Sequence, residues 1–416
     1  MKILKIKKIL FRNTKVIENY FFMTALQIIS SLFGILIYPY LIRVLGASSY
    51  GLYVFSLSIT TYFIGFISFG FNFPAVKAIA QNRNNYLVKS TVISSILTAK
   101  LYLALISTIV FFILLNSVPF MRENKLIITI SYSQIIGEIL FPQWYFQGIQ
   151  KMKIVTYIQL GIRLFSLPFI FVFIKSSADC WIYAFITTLS VILGGVLSVI
   201  YIQRLENVTI RFVSISSLKS YFKDAMPFFW SSSVGTIKQE SVTIIIGSFF
   251  GMRDVALYDL ANKLIVIPRM LTTSINGALF PKIIENTTKS VIQKIIQYET
   301  LIGLAVIVCI ILFGHYIILL LGGTPMLDSY PMAIILSVTI LVWLVVGSYI
   351  SFIFVPGNLY YLVTRNQLVA FITFFLFCIP SVLIFHNILT IVVSLTLSGL
   401  CEIAYCNYQI KKNNLL

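Results

Sequence analysis

Long apolar runs, separated by short polar or basic stretches, follow one another along the chain from residue 17 to residue 410. Each run has about twenty residues or more, which is the length that an α-helix needs to cross the hydrocarbon core of a bilayer. The connecting stretches are too short for a separate soluble domain. The pattern predicts an all-α polytopic membrane protein with twelve transmembrane helices at 17–42, 50–72, 90–116, 124–147, 154–174, 180–203, 224–250, 255–280, 294–321, 330–355, 361–385 and 387–410.

The composition agrees with this pattern and narrows the class of protein. The 416 residues are 59% hydrophobic and only 11% charged, with a mean hydropathy of +0.95, whereas soluble domains carry about 25% charged residues. The five scattered cysteines and two histidines form no spacing typical of a disulfide framework or a metal site. The sequence also lacks a nucleotide-binding phosphate loop and paired catalytic carboxylates, so we expect no cofactor, no metal and no enzymatic activity.

The basic residues predict the orientation of the chain in the membrane. Of the 31 lysines and arginines, 21 fall on the side of the predicted spans that holds the N-terminus, 5 on the other side and 5 within spans. Cytoplasmic loops carry the excess of basic residues, so both termini are predicted to be cytoplasmic. The basic, amphipathic start at 1–15 and the similar segment at 214–223 are typical of helices that lie in the membrane interface.

A short internal repeat indicates two related halves. LGASSYGLY at 45–53 aligns with FGMRDVALY at 250–258, and each segment follows the first span of its half. Both copies have the same predicted orientation, as in parallel repeats related by an axis along the membrane normal. We therefore predict two six-helix lobes with parallel pseudo-two-fold symmetry, at 1–210 and 211–416.

Five basic side chains lie inside the predicted spans: Lys100, Arg163, Lys238, Lys263 and Arg269. A cation at the centre of a span costs roughly 3 kcal/mol even on mild scales. One interpretation is that these residues form structural ion pairs, for example Asp259 with Lys263 or Glu138 with Arg163. Because we count only Glu138, Glu240 and Asp259 as acids at similar depth, two cations are left over, and the hypothesis that we favour is a hydrated cationic cavity for an anion.

The seventh span also carries a polar stripe with helical spacing, formed by Ser232, Thr236, Gln239 and Thr243. Small polar side chains in a span often join neighbouring helices by hydrogen bonds. Hydroxyls and amides beside Lys238 and Glu240 would also suit a sugar in a cavity. Both interpretations of the stripe remain open from the sequence.

Arg43 follows two tyrosines, Tyr38 and Tyr40, at the outer end of the first span. Tyrosines at that depth are typical of the aromatic belt at a membrane interface. A guanidinium at the same end could instead contact a phosphate group that leaves the protein, because Arg is suited to phosphate.

Several segments together resemble one family of transporters: YPYLIRVLGASSYGLYVF at 38–55, FGFNFPAVKAIA at 69–80, MPFFWSSSVGTIKQESVTIIIGSFFGMRDVALYDLANKL at 226–264 and LFPKI at 279–283. They are similar to the O-antigen or Wzx type of lipid-linked oligosaccharide flippase. That type belongs to the superfamily of multidrug, oligosaccharidyl-lipid and polysaccharide exporters, which also contains the lipid II flippases. The resemblance covers the opening third of each half.

The resemblance implies a non-enzymatic flippase of the bacterial cytoplasmic membrane. It implies that undecaprenyl-diphosphate-linked oligosaccharides cross by alternating access between the two lobes, driven by a gradient of H⁺ or Na⁺, for surface polysaccharide such as lipopolysaccharide. A polysaccharide polymerase and a chain-length regulator are the partners that it suggests. Relatives often carry an aspartate late in span seven, where this chain has Ser241 and Val242, and this difference puts a coupling role for the neighbouring Glu240 in doubt.

From these arguments we expect the following site. The candidates for contact with the diphosphate or an acidic sugar are Arg163, Lys238, Lys263, Arg269, Lys100 and Arg43. The candidates for ion coupling or charge balance are Glu240, Asp259 and Glu138. The alternatives are a cation-coupled multidrug antiporter of the same fold, which would need a more acidic cavity, and a membrane glycosyltransferase or polymerase, which the short loops disfavour.

Overall fold

A computed structural model describes the backbone of residues 2–286, 289–357, 359–413 and 415. It describes the side chains of the same residues except those at 2–17, 20, 267 and 271–286. The side chains of the basic start at 1–15 and of the segment at 279–283 therefore lie outside the described residues.

The described chain is almost entirely helical, as the periodicity predicts. Two π-helical segments, Ile350–Phe354 and Ser381–Phe385, continue the helices that precede them. The α-helices are α1 Lys2–Ser68, α2 Asn72–Gln81, α3 Tyr86–Ser117, α4 Pro119–Glu123, α5 Lys125–Tyr132, α6 Gln134–Leu140, α7 Gln143–Gly148, α8 Met152–Phe173, α9 Cys180–Leu205, α10 Ile215–Phe249, α11 Met252–Asn286, α12 Lys289–Gly322, α13 Ser329–Tyr349, α14 Tyr360–Pro380 and α15 Ile388–Lys412.

Eight helical segments in the described part of the chain are long and apolar enough to cross a bilayer. The first contains two of the predicted spans, because α1 continues through a kink at Gly46, where φ is +75°. The prediction of a polytopic helical membrane protein is confirmed, and the number of twelve spans stays a prediction. The eight segments are Phe21–Ser68, Tyr86–Ser117, Met152–Phe173, Ser177–Leu205, Lys289–Gly322, Ser329–Phe354, Tyr360–Phe385 and Ile388–Lys412.

The predicted fourth span, 124–147, is not one helix but the three short helices α5, α6 and α7. The second break lies at Phe141, where ψ is 82°, and at Pro142, where ψ is 71°. Proline has no N–H to donate and disfavours the helical conformation of the residue before it. The prediction of a continuous helix here is wrong, and α7 begins as a separate helix after the proline.

A tight turn at Phe69 and Gly70 connects α1 to α2 and packs on the first half of α10. Both residues have positive φ, 42° and 69°. An added Cβ at Gly70 would lie 2.5 Å from the backbone nitrogen of Phe229, so only glycine allows this approach. The ring of Phe69 stacks on the ring of Phe229, with their centroids 4.4 Å apart. This packing joins α10 to the N-terminal part of the chain.

Packing divides the chain into two units, and α1 and α10 each contribute residues to both. Residues 31–55 belong with the C-terminal segment because Gly51 allows close contact with α11, where an added Cβ would lie 1.7 Å from the Met252 carbonyl oxygen. The units are therefore not the contiguous lobes 1–210 and 211–416, whose boundary stays a prediction. Unit 1 contains Met1–Ser30 and Ser56–Thr236, and unit 2 contains Ser31–Phe55 and Ile237–Leu416.

The two aligned repeat segments share local features. Gly46 and Gly251, which the alignment pairs, both adopt positive φ, 75° and 118°. The aligned tyrosines Tyr53 and Tyr258 are both buried. Each glycine therefore marks a break between helices at an equivalent place in its half, and the symmetry of the whole halves stays a prediction.

Candidate functional site

In unit 1, α3 and α6 present an ion pair whose lysine is buried. The Lys100 ammonium lies 3.3 Å from Oε1 of Glu138 and donates to the Glu138 carbonyl oxygen at 3.4 Å. Ser68 Oγ donates to the same carboxylate at 3.2 Å. Lys100 is only 1% exposed, whereas the Glu138 side chain is 35% exposed. The structure thus pairs Glu138 with Lys100, a pairing that the sequence analysis did not consider.

Beside this pair, unit 1 has a partly open cavity of about 440 Å³ with both polar and apolar residues in its wall. Four carboxamide side chains line it, together with the indole of Trp144 and the charged groups of Glu138 and Arg163. Gln143 and Gln147 are four residues apart on α7, and Gln159 and Arg163 are four residues apart on α8. Each pair therefore lies on one face of its helix. The carboxamides are those of Asn72 on α2, Gln143 and Gln147 on α7, and Gln159 on α8.

Arg163 reaches this cavity from α8, one turn after Gln159. Its Nη1 donates to the carbonyl oxygen of Ser30 at 3.3 Å, and its side chain is half-buried. The break at Pro142 allows the α7 residues Gln143 and Gln147 to line the same cavity. The arrangement offers hydrogen-bond donors and acceptors with one acid and one base at the wall.

In unit 2, a cluster of two tyrosines, a lysine and an aspartate joins α1 to α11. Lys263 forms an ion pair with Asp259, one turn earlier on α11, as the spacing predicts. Tyr50 donates to Asp259 Oδ2 at 2.9 Å and accepts from the Lys263 ammonium at 3.0 Å. The same ammonium lies 5.4 Å from the ring centroid of Tyr38, within the range of a cation–π contact.

A second lysine of unit 2 is paired with an acid that the sequence analysis left out. Lys238 on α10 donates to Glu402 Oε1 on α15 at 2.8 Å. The amide of Asn366 donates to Glu402 Oε2 at 3.3 Å, and Cys406 donates to Asn366 Oδ1 at 3.4 Å. Unit 2 therefore holds two separate lysine–acid groups among its described residues.

The predicted surplus of embedded cations over acids is wrong. Besides Glu402, the carboxylate of Glu299 on α12 is buried and accepts a hydrogen bond from Ser348. Both residues lie inside predicted spans, 294–321 and 387–410, so the sequence already held the signal needed to count them. With these two acids counted, no cation is left over by the count, and charge alone does not identify an anion site.

Three other candidates lie in different local surroundings. The Arg269 guanidinium lies 4.4 Å from the ring centroid of Trp343, a distance typical of a cation–π contact. Arg43 is exposed and donates to the Leu320 carbonyl oxygen at 3.3 Å. Glu240 is half-buried on α10. A role for Arg269, Arg43 and Glu240 in transport stays a prediction.

The polar stripe of α10 does not lie in one environment. Ser232 and Gln239 are exposed, Thr236 is half-buried and Thr243 is buried. Ser232 Oγ donates to the carbonyl oxygen of Phe228, one turn earlier, at 2.8 Å, which is a common way for a helical serine to satisfy its hydroxyl. The lining of a cavity by this stripe stays a prediction.

Two ion-pair groups lie outside the predicted spans. Arg253 donates to Asp328 at 2.8 Å between two exposed side chains. Glu206 pairs with Lys89 and with Lys151, and its hydrogen bond to Lys151 holds the pKa of that ammonium above its ordinary value.

Within the described residues, no group of three or more His, Cys, Asp or Glu side chains could hold a metal ion.

The chain matches a protein family described as polysaccharide biosynthesis protein over residues 16–287. It is 26% identical over 318 residues to a "Putative O-antigen transporter" of Escherichia coli (strain K12), covering 75% of this chain and 76% of that protein. A protein of the same description from Shigella dysenteriae is 24% identical over 258 residues, covering 61% and 63% of the two chains.

The fold is similar to that of solved transporters. The lipid II flippase MurJ, in an inward closed conformation, matches with a TM-score of 0.75 and 12% identity over 94% of this chain and 87% of that one. An inward-facing multidrug resistance transporter of the MATE family and the MOP superfamily matches with a TM-score of 0.64 and 14% identity, over 91% and 95% of the two chains. At such identities the likeness concerns the fold alone.

Proposed function

The chain belongs to the polysaccharide biosynthesis protein family, and from this premise we propose that it is a flippase for undecaprenyl-diphosphate-linked oligosaccharide repeat units. It is a multi-pass protein of the bacterial cytoplasmic membrane. The observation that carries the proposal is the family match over 16–287. The names of the two O-antigen transporters and the fold shared with a lipid II flippase support the same substrate class.

The proposed mechanism is alternating access between two lobes, with both chain termini in the cytoplasm. Irregular helical segments supply places where such a motion can bend the chain. α1 is broken at Gly46, and π-helical turns occur at Ile350–Phe354 and directly after Pro380. Breaks of these kinds are the common causes of kinks in helices and are frequent at functional sites.

We propose that the Asp259 cluster couples transport to an ion gradient of H⁺ or Na⁺. Its carboxylate is held by Lys263 and Tyr50, and the side chains of the pair remain partly exposed. A proton or sodium ion bound to Asp259 would weaken its attraction for Lys263 and release that ammonium toward an anionic substrate. Glu240 and Glu138 are the further candidates for charge balance in this scheme.

The basic residues then divide into two roles. We assign Lys100 to a structural pair because its side chain is almost completely buried against Glu138. The remaining basic candidates are half-buried or exposed, and we propose that they contact the diphosphate or an acidic sugar: Arg163, Lys238, Lys263, Arg269 and Arg43.

The experiment that tests the function is transport by purified protein in proteoliposomes. Lipid-linked oligosaccharide extracted from the host membranes is placed in the vesicles, and its arrival in the other leaflet is followed with an added lectin that cannot cross. We expect faster arrival than in protein-free vesicles, and a further increase when a pH or sodium gradient is imposed. Arrival at the protein-free rate under every gradient would exclude a flippase.

A multidrug antiporter is the second candidate, because the fold is similar to that of a multidrug resistance transporter. Expression in a strain that lacks its main drug exporters separates the two. A flippase should leave drug tolerance unchanged and restore surface polysaccharide to a deletion strain. An antiporter should raise drug tolerance and fail to restore the polysaccharide. The same vesicles test the enzyme alternative, since a glycosyltransferase or polymerase would lengthen the oligosaccharide and a flippase would not.

A further inference from the structure

We propose that the cavity inside unit 1 is a carbohydrate-binding subsite, which recognises the sugar portion of the lipid-linked substrate and not its diphosphate. The proposal rests on the proposed function, since it assigns one part of that substrate to one place in the chain. The cavity has about 440 Å³, a volume within the usual range of roughly 300–1,000 Å³ for small-molecule sites.

The hydrogen-bonding groups of the cavity match the chemistry of a sugar. Asn72, Gln143, Gln147 and Gln159 each carry one carbonyl acceptor and an amino group with two donors. A sugar hydroxyl both donates and accepts, so a carboxamide can serve neighbouring hydroxyls in either direction. Trp144 is also part of the wall but is only 3% exposed, so the carboxamides are the groups that can contact a sugar.

The charges of the cavity argue against the diphosphate as its occupant. Arg163 is the single basic side chain on the wall, and the wall also carries the acid Glu138. The ammonium of Lys100 is directed at Glu138 and is almost completely buried, so it does not reach into the cavity. Because Lys100 already balances Glu138, one guanidinium would face the several negative charges of a diphosphate, whereas the four neutral carboxamides are suited to the hydroxyls of a sugar.

The backbone explains why so many polar groups meet inside a membrane-embedded unit. The break at Phe141 and Pro142 ends α6, and α7 begins directly after it. Irregular backbone at membrane depth is tolerated where it is buried in protein or lines a hydrated cavity. Gln143 and Gln147 follow the break directly, and Gln159 and Arg163 lie opposite on α8. The break therefore serves to build the proposed subsite.

Binding by purified full-length protein in nanodiscs tests the subsite with two probes. One probe is lipid-linked oligosaccharide extracted from the host membranes, and the other is undecaprenyl diphosphate without a sugar. The variants Gln159→Leu and Gln143→Leu each remove a carboxamide but keep a side chain of similar size. Gln203→Leu is the matched control, because Gln203 is exposed on α9 and does not line the cavity.

We expect each cavity variant to weaken binding of the oligosaccharide probe by about tenfold, since one lost hydrogen bond leaves a polar sugar group unsatisfied. Binding of the sugar-free probe should stay unchanged, and the control should bind both probes like the wild type. Two variants on different helices guard against one that fails to fold, which a melting curve in the nanodisc detects.

Three results would overturn the subsite. Equal weakening for both probes would place the diphosphate in the cavity, and no weakening for either probe by a folded variant would leave the cavity without substrate. In both cases the proposed flippase function stands, because the wild type still binds and transports. A wild type that binds neither probe and transports nothing would contradict the proposed function, and the subsite with it.

Discussion

The two units hold their embedded lysines in different ways. In unit 1, Lys100 is 1% exposed and contacts both the carboxylate and the carbonyl oxygen of Glu138. In unit 2, Lys238 is 20% exposed and Lys263 is 22% exposed, and each faces an acid that is also partly open. The embedded ammonium is therefore sealed in unit 1, although its acid Glu138 is 35% exposed, and accessible in unit 2.

This difference shows that an embedded charged side chain indicates a role in transport only when its solvent exposure is also known. A sealed ammonium has already lost its water, so it depends on the attraction of its carboxylate. A partly open pair keeps some solvation and can exchange one partner for an ion or a substrate group. We therefore assign a structural role to the Lys100–Glu138 pair, and we assign the exchange of a partner during transport to the Asp259–Lys263 pair.

The largest effect on stability should follow from Glu138→Leu. This change leaves the buried ammonium of Lys100 without its carboxylate, and removing one partner of a buried pair costs roughly 3–5 kcal/mol. We expect a strongly lowered melting temperature in detergent. The double variant Lys100→Met with Glu138→Leu should recover most of the loss, because no unpaired charge remains. An unchanged melting temperature in the single variant would contradict the dependence of the buried Lys100 ammonium on Glu138.

Asp259→Asn should reduce gradient-driven transport by about tenfold or more, which corresponds to about 1.4 kcal/mol. The amide keeps the shape of the side chain but cannot carry the charge that an ion neutralises, so we expect only a small change in melting temperature. Transport in proteoliposomes with and without an imposed gradient measures the effect. Asp328→Asn, at an exposed acid, is the control, and equal responses of the two variants would argue against coupling at Asp259.

Tyr50→Phe should have a smaller effect of the same kind. It removes one hydroxyl that bridges Asp259 and Lys263 but leaves the ion pair in place. The charge of Asp259 and its ion pair remain, so we expect a loss of less than about tenfold in the same transport assay. Tyr86→Phe changes an exposed tyrosine and should transport like the wild type. A larger loss in Tyr50→Phe than in Asp259→Asn would reverse the assigned roles.

The smallest effect should follow from Arg253→Gln. The guanidinium of Arg253 is 55% exposed in its pair with Asp328, and ion pairs between exposed groups contribute about 0–1 kcal/mol. The melting temperature should change little, and less still in high salt, which screens the pair in the wild type. A loss as large as that of Glu138→Leu would show that exposure does not separate the two classes of pair.

Much of the fold could be predicted from the sequence, because helix formation in a membrane depends on local composition. The apolar runs marked the long helices, and the spacing of Asp259 and Lys263 indicated their ion pair correctly. The prediction of the fourth span as one helix was wrong because it relied on hydropathy and not on Pro142. The effect of a proline on the backbone is local, so the break could have been predicted from the sequence. The count of embedded acids was wrong because it omitted Glu299 and Glu402, which lie within predicted spans.

The partners of the embedded charges were decided by tertiary structure. Lys238 and Glu402 are 164 residues apart, and Lys100 and Glu138 belong to different helices, so no periodicity brings them together. The cavity of unit 1 likewise needs side chains from α2, α6, α7, α8 and α9. Helix packing sets which faces meet, and it depends on side-chain shapes along whole helices.

The sequence by itself determined that this chain is a helical membrane protein with basic groups inside its spans, since the period and hydropathy of a helix are local properties. The division between sealed and accessible lysines appeared only in the folded chain. The exposure of a side chain depends on every helix that packs around it, and this exposure decides whether a charged group can contact an ion or a substrate.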